Sequence, residues 1–106
     1  MKPANFAPVY CAALYPDLCE ICREHGYALA VHGSMARDFD LIAIPWADDV
    51  SGNAVVVADM IKRLDVHLVG EMENKAHGRV AYTISVGFGE CACDLSFMPW
   101  TGKEDS

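Results

Sequence analysis

Residues 27–46, YALAVHGSMARDFDLIAIPW, decide the fold because two strand-like runs stand on either side of a short polar segment. The first run covers residues 27–32 and stops at Gly33-Ser34, where a glycine allows a sharp turn. The second run covers residues 38–45 and alternates between two faces, as a strand does. Its polar face carries two carboxylates, so we expect one face to meet a core and the other to stay open. The polar face takes Asp38, Asp40, Ile42 and Ile44, and the apolar face takes Phe39, Leu41 and Ala43.

Apolar residues at helical spacing predict a helix before this stretch. Leu18, Ile21 and Cys22 recur at that spacing, and Gly26 follows as a C-terminal cap. Pro16 is expected to kink or break the helix near its start, because proline removes a helical hydrogen bond. The sequence therefore predicts an N-terminal helix that ends just before the first strand.

A second helix and three further strands are predicted after Trp46. The loop at residues 46–53 is rich in turn formers, and Ser51 is expected to cap the helix that follows. Val57, Met60 and Leu64 share one face of this helix with Ile61. Turns separate the three strand-like runs that come next, which predicts an antiparallel meander. These runs cover residues 67–72, 79–88 and 91–98.

The order of helix, two strands, helix and three strands predicts an α+β fold. Such a chain buries its helices against one face of a sheet. We expect a two-layer, nucleotidyltransferase-like arrangement, with a mixed five-stranded sheet and two main helices on one face. A chain of 106 residues supplies one modest core, so residues 1–106 are expected to form a single domain with a flexible tail at residues 101–106.

Composition excludes several classes of function. The chain has 15 acidic and 8 basic residues, a net charge of −7, which argues against an extended nucleic-acid surface. No stretch approaches the roughly 20 apolar residues of a membrane-spanning helix. The first residues also lack the apolar run of a signal peptide, so a cytoplasmic protein without membrane contact is expected.

The carboxylates of the second strand carry the strongest chemical signal. Asp38 and Asp40 leave the same strand face, where two negative charges repel each other unless a cation lies between them. Two carboxylate ligands suit Mg²⁺, which completes its shell with water and phosphate oxygens. Upstream, Gly33 and Ser34 offer a close backbone approach and a hydroxyl to a phosphate, and Arg37 adds a positive charge near the same point.

A third acid, Asp94, stands in the late apolar run CACDLSFM, residues 91–98. A strand with a Gly-Ser turn, an acid-x-acid strand and a third strand-borne acid together resemble the polymerase β-type nucleotidyltransferase superfamily, in particular its minimal members. The matching stretches are VHGS, DFDL and CDLSF, and the resemblance covers residues 27–98.

The resemblance implies a role for each residue of these motifs. Gly33 and Ser34, with Arg37 beside them, would hold the triphosphate of an incoming nucleotide such as ATP. Asp38 and Asp40 would bind two Mg²⁺ or Mn²⁺ ions. Asp94 would complete one metal site and help to activate the acceptor hydroxyl.

The implied activity is a metal-dependent transfer of a nucleoside monophosphate from an NTP to a hydroxyl acceptor, with release of pyrophosphate. The acceptor is a protein, an RNA or a small molecule, and the sequence indicates neither its identity nor the preferred base. Acceptor choice is expected to come from a homodimer partner, another protein or the meander at residues 67–90.

Other interpretations stay open at this point. Only residues 35–37 separate Ser34 from Asp38, fewer than in the family, which favours a catalytically impaired, antitoxin-like interaction protein. A phosphohydrolase would use the first acid of the Asp-x-Asp pair as a nucleophile, but Ile42 stands where such enzymes have Thr or Val. Asp38 could also form an ion pair with Arg37 or Arg79, and Asp94 with a buried arginine.

The cysteines allow two interpretations. Four of them lie in two closely spaced pairs, which is one signature of a structural zinc site. Alternatively, they are buried free thiols that pack as small apolar side chains. The four residues are Cys19, Cys22, Cys91 and Cys93.

Overall fold

The structure is a computed structural model that describes residues 7–33, 39–85 and 92–100. It contains two α-helices and five strands, and a short 3₁₀ turn, Ala76–Gly78, lies between the third and fourth strands. The α+β class predicted from the sequence is therefore confirmed. In chain order the elements are α1 (Ala7–Glu24), β1 (Tyr27–His32), β2 (Phe39–Pro45), α2 (Asn53–Leu64), β3 (His67–Asn74), β4 (Val80–Ser85) and β5 (Ala92–Phe97).

The five strands form one mixed sheet in the order β1-β2-β5-β4-β3. β1 and β2 pair antiparallel, and β3, β4 and β5 form the predicted antiparallel meander. β5 lies at the centre of the sheet and pairs with β2 in parallel. This single parallel pair joins the two antiparallel halves of the sheet.

The core lies between the helices and one face of the sheet. The apolar face of β2 is buried as its alternation predicts, with Phe39, Leu41 and Ala43 all inaccessible to solvent or nearly so. The predicted helix faces are confirmed as well. From α1 the buried residues are Leu18, Ile21 and Cys22, and from α2 they are Val56, Val57 and Met60.

The starts of both helices differ from the predictions. α1 begins at Ala7 and continues past Pro16, which is exposed, so the expected break is absent. Packing of the helix outweighs the hydrogen bond lost at proline. Gly52, without a side-chain cap bond, is the N-cap of α2, so the prediction that Ser51 caps this helix is wrong. The Ser51 hydroxyl is 2.6 Å from His25 Nδ1 instead.

A polar network joins the C-terminal end of α1 to α2. His25 Nε2 lies 2.9 Å from Asp59 Oδ2, and Arg63 Nη1 lies 3.2 Å from the same carboxylate oxygen. Arg63 Nη1 also donates to Glu24 Oε1 over 2.7 Å. The hydrogen bond to His25, with that from Arg63, lowers the pKa of Asp59, and the bond from Arg63 lowers the pKa of Glu24.

This network predicts an acid-sensitive link between the helices. A carboxyl whose pKa is lower in the folded than in the unfolded protein stabilises the fold at any pH above its unfolded pKa. That contribution is lost as the pH falls through the pKa of the folded state. We expect wild type to have a higher free energy of unfolding than Asp59→Asn at pH 5, and the difference to shrink as the pH falls below about 3.9, the ordinary pKa of aspartate, toward pH 3. Urea denaturation across this range measures it, with the exposed Asp17→Asn on α1 as control. A difference that grows toward pH 3 contradicts the assignment.

Candidate functional site

Four polar side chains form a row across the sheet face opposite the helices, a face that no described helix covers. The strand register pairs His32 of β1 with Asp40 of β2, Asp40 with Asp94 of β5, and Asp94 with Thr83 of β4. Asp40 is half-buried, whereas Asp94 is exposed and accepts a hydrogen bond from Thr83 Oγ1 over 3.3 Å. Neighbouring strands lie about 4.8 Å apart, so the two carboxylates emerge side by side. Two acids far apart along the chain therefore lie side by side on the sheet face opposite the helices.

The row is one end of a groove of about 440 Å³. Small side chains form its floor: Ser96 follows Asp94 on the same face of β5 and pairs in register with Ala81 of β4. Ser96 is only 7 % exposed, so the floor is closed. The other end of the groove, at the connection between β3 and β4, consists of Glu73, Lys75 and Arg79. The groove thus has a carboxylate-rich end and an end with two cations.

Gly33 lies directly against the Asp40 carboxylate. Its φ is +84°, in the left-handed region that favours glycine, and a Cβ at this position would collide with Asp40 Oδ2. The chain leaving β1 therefore passes close to the acid of the next strand because residue 33 has no side chain. Gly33 is also the first of the residues to which the resemblance gives a role in phosphate binding.

Replacing Gly33 is expected to disturb both the fold and the Asp40 side chain. We expect Gly33→Ala to lower the free energy of unfolding by about 1–3 kcal/mol, because alanine is strained at this φ and displaces the carboxylate. Gly70→Ala is a matched control: its φ is +71°, but no atom lies within 4 Å of the added Cβ. It should cost about 1 kcal/mol. Urea denaturation compares the two variants, and equal losses would contradict a specific contact with Asp40.

The predicted site residues divide into two groups. Gly33, Asp40 and Asp94 lie together at the carboxylate-rich end of the groove. Ser34, Arg37 and Asp38 lie outside the described residues, so their predicted roles in phosphate and metal binding stay predictions. The suggested ion pairs of Asp38 with Arg37 or Arg79 stay untested for the same reason.

The donor chemistry of the groove fits one hard divalent cation. Asp40 and Asp94 supply carboxylate oxygens, and Mg²⁺ typically takes one or two protein carboxylates and keeps several waters. Among the described residues, no three His, Cys, Asp or Glu side chains group closely enough to hold a metal ion by themselves. A second ion would need a further ligand, the role that the resemblance gives to Asp38.

The described cysteines pack as core residues. Cys22 and Cys93 are buried in the apolar core, and burial raises the pKa of the Cys22 thiol to about 12. Cys19 is half-buried, and Cys91 lies outside the described residues. The observed packing favours the interpretation as small apolar side chains.

Several groove residues were not singled out as site residues from the sequence. Thr83, Ser96, Glu73 and Lys75 enter the groove only through the pairing of β4 with β5 and with β3. Their sole signal in the sequence is alternation, which marks Thr83 and Ala81 as facing away from the buried Tyr82. Alternation cannot reveal which strand is the neighbour.

No protein-family model, curated protein or solved structure matches the chain. Within the described ranges, no helix combines the length and apolar character needed to cross a membrane.

Proposed function

We propose that the protein is a metal-dependent nucleotidyltransferase that moves a nucleoside monophosphate from an NTP to a hydroxyl acceptor. One observation carries the proposal: Asp40 and Asp94 are register partners on the sheet face opposite the helices, with Gly33 packed against Asp40. The core side chains Phe39 and Leu41 fix the strand that carries Asp40. A rigid pair of carboxylates beside a close backbone approach suits a metal-bound phosphate.

The proposed reaction forms one bond and breaks one. The acceptor oxygen attacks the α-phosphorus of the NTP, and the bond from that phosphorus to the β-phosphate oxygen breaks, so pyrophosphate leaves. The hydroxyl proton passes to a carboxylate, the role proposed for Asp94, and then to solvent. A bound Mg²⁺ or Mn²⁺ would supply charge stabilisation for the phosphoryl oxygens. Asp40 would orient that ion, and the residues around Gly33 would position the triphosphate.

A cytoplasmic location belongs to the same proposal, because the cytoplasm supplies both NTPs and Mg²⁺. The acceptor, whether a protein, an RNA or a small molecule, is left to experiment.

The test is a binding titration followed by a transfer assay. Isothermal titration of the protein with Mn²⁺ and then with ATP, GTP, CTP or UTP should show metal binding and metal-dependent nucleotide binding. Incubation with α-labelled NTPs and cell lysate, followed by mass spectrometry of labelled species, should identify an acceptor. A wild-type protein that binds neither Mn²⁺ nor any nucleotide overturns the proposal.

A second candidate is an interaction protein that retains the fold without transfer activity. The observation in its favour is β3, which is exposed along its whole length. Three of its large apolar side chains, Leu68, Val69 and Met72, are among those most open to solvent. Nucleotide binding without any labelled acceptor, together with a stable complex recovered through β3, would favour this candidate over the enzyme.

A further inference from the structure

We propose that Arg79, with Lys75, binds a second phosphate group at the end of the groove opposite Asp40 and Asp94. The inference rests on the proposed function for the ligand at the carboxylate end, but the cationic end is a separate feature. We therefore expect the ligand in the groove to be extended and to have a phosphate group at a distance from the reacting centre.

Charge distribution is the first reason for this proposal. The chain has a net charge of −7, yet both basic residues of the β3–β4 connection border the groove. Lys75 Nζ lies 3.0 Å from Glu73 Oε1, so its charge is partly compensated. Arg79 forms no ion pair with any residue of the ranges that the structure describes. Arg79 is half-buried as a residue, and its guanidinium is suited to bidentate binding of a phosphate.

The second reason is that the backbone holds Arg79 in place. The Lys75 N–H donates to the Arg79 carbonyl over 2.8 Å, and the Arg79 N–H donates to the Ala76 carbonyl over 3.3 Å. Gly78 adopts a φ of +76° beside the Pro99 side chain. This closed turn fixes the backbone of Arg79, so a ligand can bind its side chain without first ordering the loop.

The spacing from Arg79 to the residues of β4 indicates that the proposed second phosphate is distinct from a phosphate bound near Asp40 and Asp94. Arg79 precedes Thr83 by four residues, and Thr83 pairs in register with Asp94. At about 3.3 Å per residue, the two ends of the groove are about 13 Å apart along the backbone. This separation is wider than one phosphate group, so we expect the groove to hold two. The second phosphate comes either from the same nucleotide or from a separate, phosphate-bearing acceptor.

The test measures two affinities in the full-length protein. The first is the affinity of the protein for ATP in the presence of Mn²⁺. The second is the affinity for inorganic phosphate of protein that is already saturated with Mn²⁺ and α,β-methylene ATP. We expect Arg79→Gln to weaken one of these about tenfold, the effect of losing a charge-assisted hydrogen bond, and Lys75→Gln to weaken the same one about threefold. Lys62→Gln, which removes an exposed charge from α2, is the matched control.

Each result decides the inference. Weakened ATP binding assigns the second phosphate to the nucleotide, and weakened binding of inorganic phosphate assigns it to the acceptor. If Arg79→Gln changes neither affinity relative to Lys62→Gln, or if wild type binds neither probe, the inference is overturned. Mn²⁺ binding that depends on Asp40 would still be observed if only this inference fails. If the wild-type protein does not bind Mn²⁺, the proposed function is overturned instead.

Discussion

Asp40→Asn is expected to lower the proposed rate of nucleotidyl transfer about 1000-fold, because the proposed metal ion would lose a ligand that contributes several kcal/mol of charge stabilisation. Asparagine has nearly the same shape as aspartate, so the strand and its pairing with β5 should persist. The measurement is the initial rate of transfer from an α-labelled NTP to the acceptor found in lysate. Mn²⁺ titration of the same variant should show a parallel loss of affinity.

Asp48→Asn is the matched control, since Asp48 is an exposed carboxylate in the loop between β2 and α2. It removes one negative charge and should leave the transfer rate unchanged. Circular dichroism should show the same fold for both variants. If Asp40→Asn keeps more than about a tenth of the wild-type rate, Asp40 does not hold the metal of the reaction.

Phe97→Ala is expected to lower the free energy of unfolding by about 3–5 kcal/mol, the usual cost of emptying a core site of this size. Phe97 is 2 % exposed at the end of the central strand. Its ring packs edge-to-face against Tyr27 of β1 and Tyr82 of β4, with centroid distances of 5.3 and 5.8 Å. One side chain thus connects both halves of the sheet. Urea denaturation measures the loss.

Two variants delimit this prediction. Phe97→Leu keeps most of the apolar volume and should cost less than Phe97→Ala. Val55→Ala, at a residue of α2 that is 55 % exposed, should change the free energy of unfolding by no more than about 0.5 kcal/mol. A loss below about 1 kcal/mol for Phe97→Ala would show that the core repacks around the missing ring.

Local periodicity explains how much of the fold the sequence predicted. Alternation along β2 placed Phe39 and Leu41 on the face opposite Asp40, and in the structure Phe39 and Leu41 are buried whereas Asp40 is half-buried. Helical spacing likewise identified Ile21 of α1 and Met60 of α2 as core residues. These patterns arise within one element, where side-chain direction depends only on the backbone repeat.

Long-range pairing explains what the sequence could not predict. Nothing in the β5 residues specifies that they insert between β2 and β4, yet this insertion places Asp94 beside Asp40. Arg79 joins the same groove only because β4 lies on the other side of β5. α1 continues through Pro16 because tertiary packing outweighs a local preference.

The central position of β5 also has a consequence for how the molecule folds. β1 with β2, and β3 with β4, are neighbours in sequence, and each pair can form as a local hairpin. β5 is the last of the described strands along the chain, and it alone connects the two hairpins. We therefore expect Asp40 and Asp94 to come together only when β2 pairs with β5, which is the non-local step. Metal affinity should appear late during refolding, so that bound Mn²⁺ reports the completion of the sheet rather than the collapse of the chain.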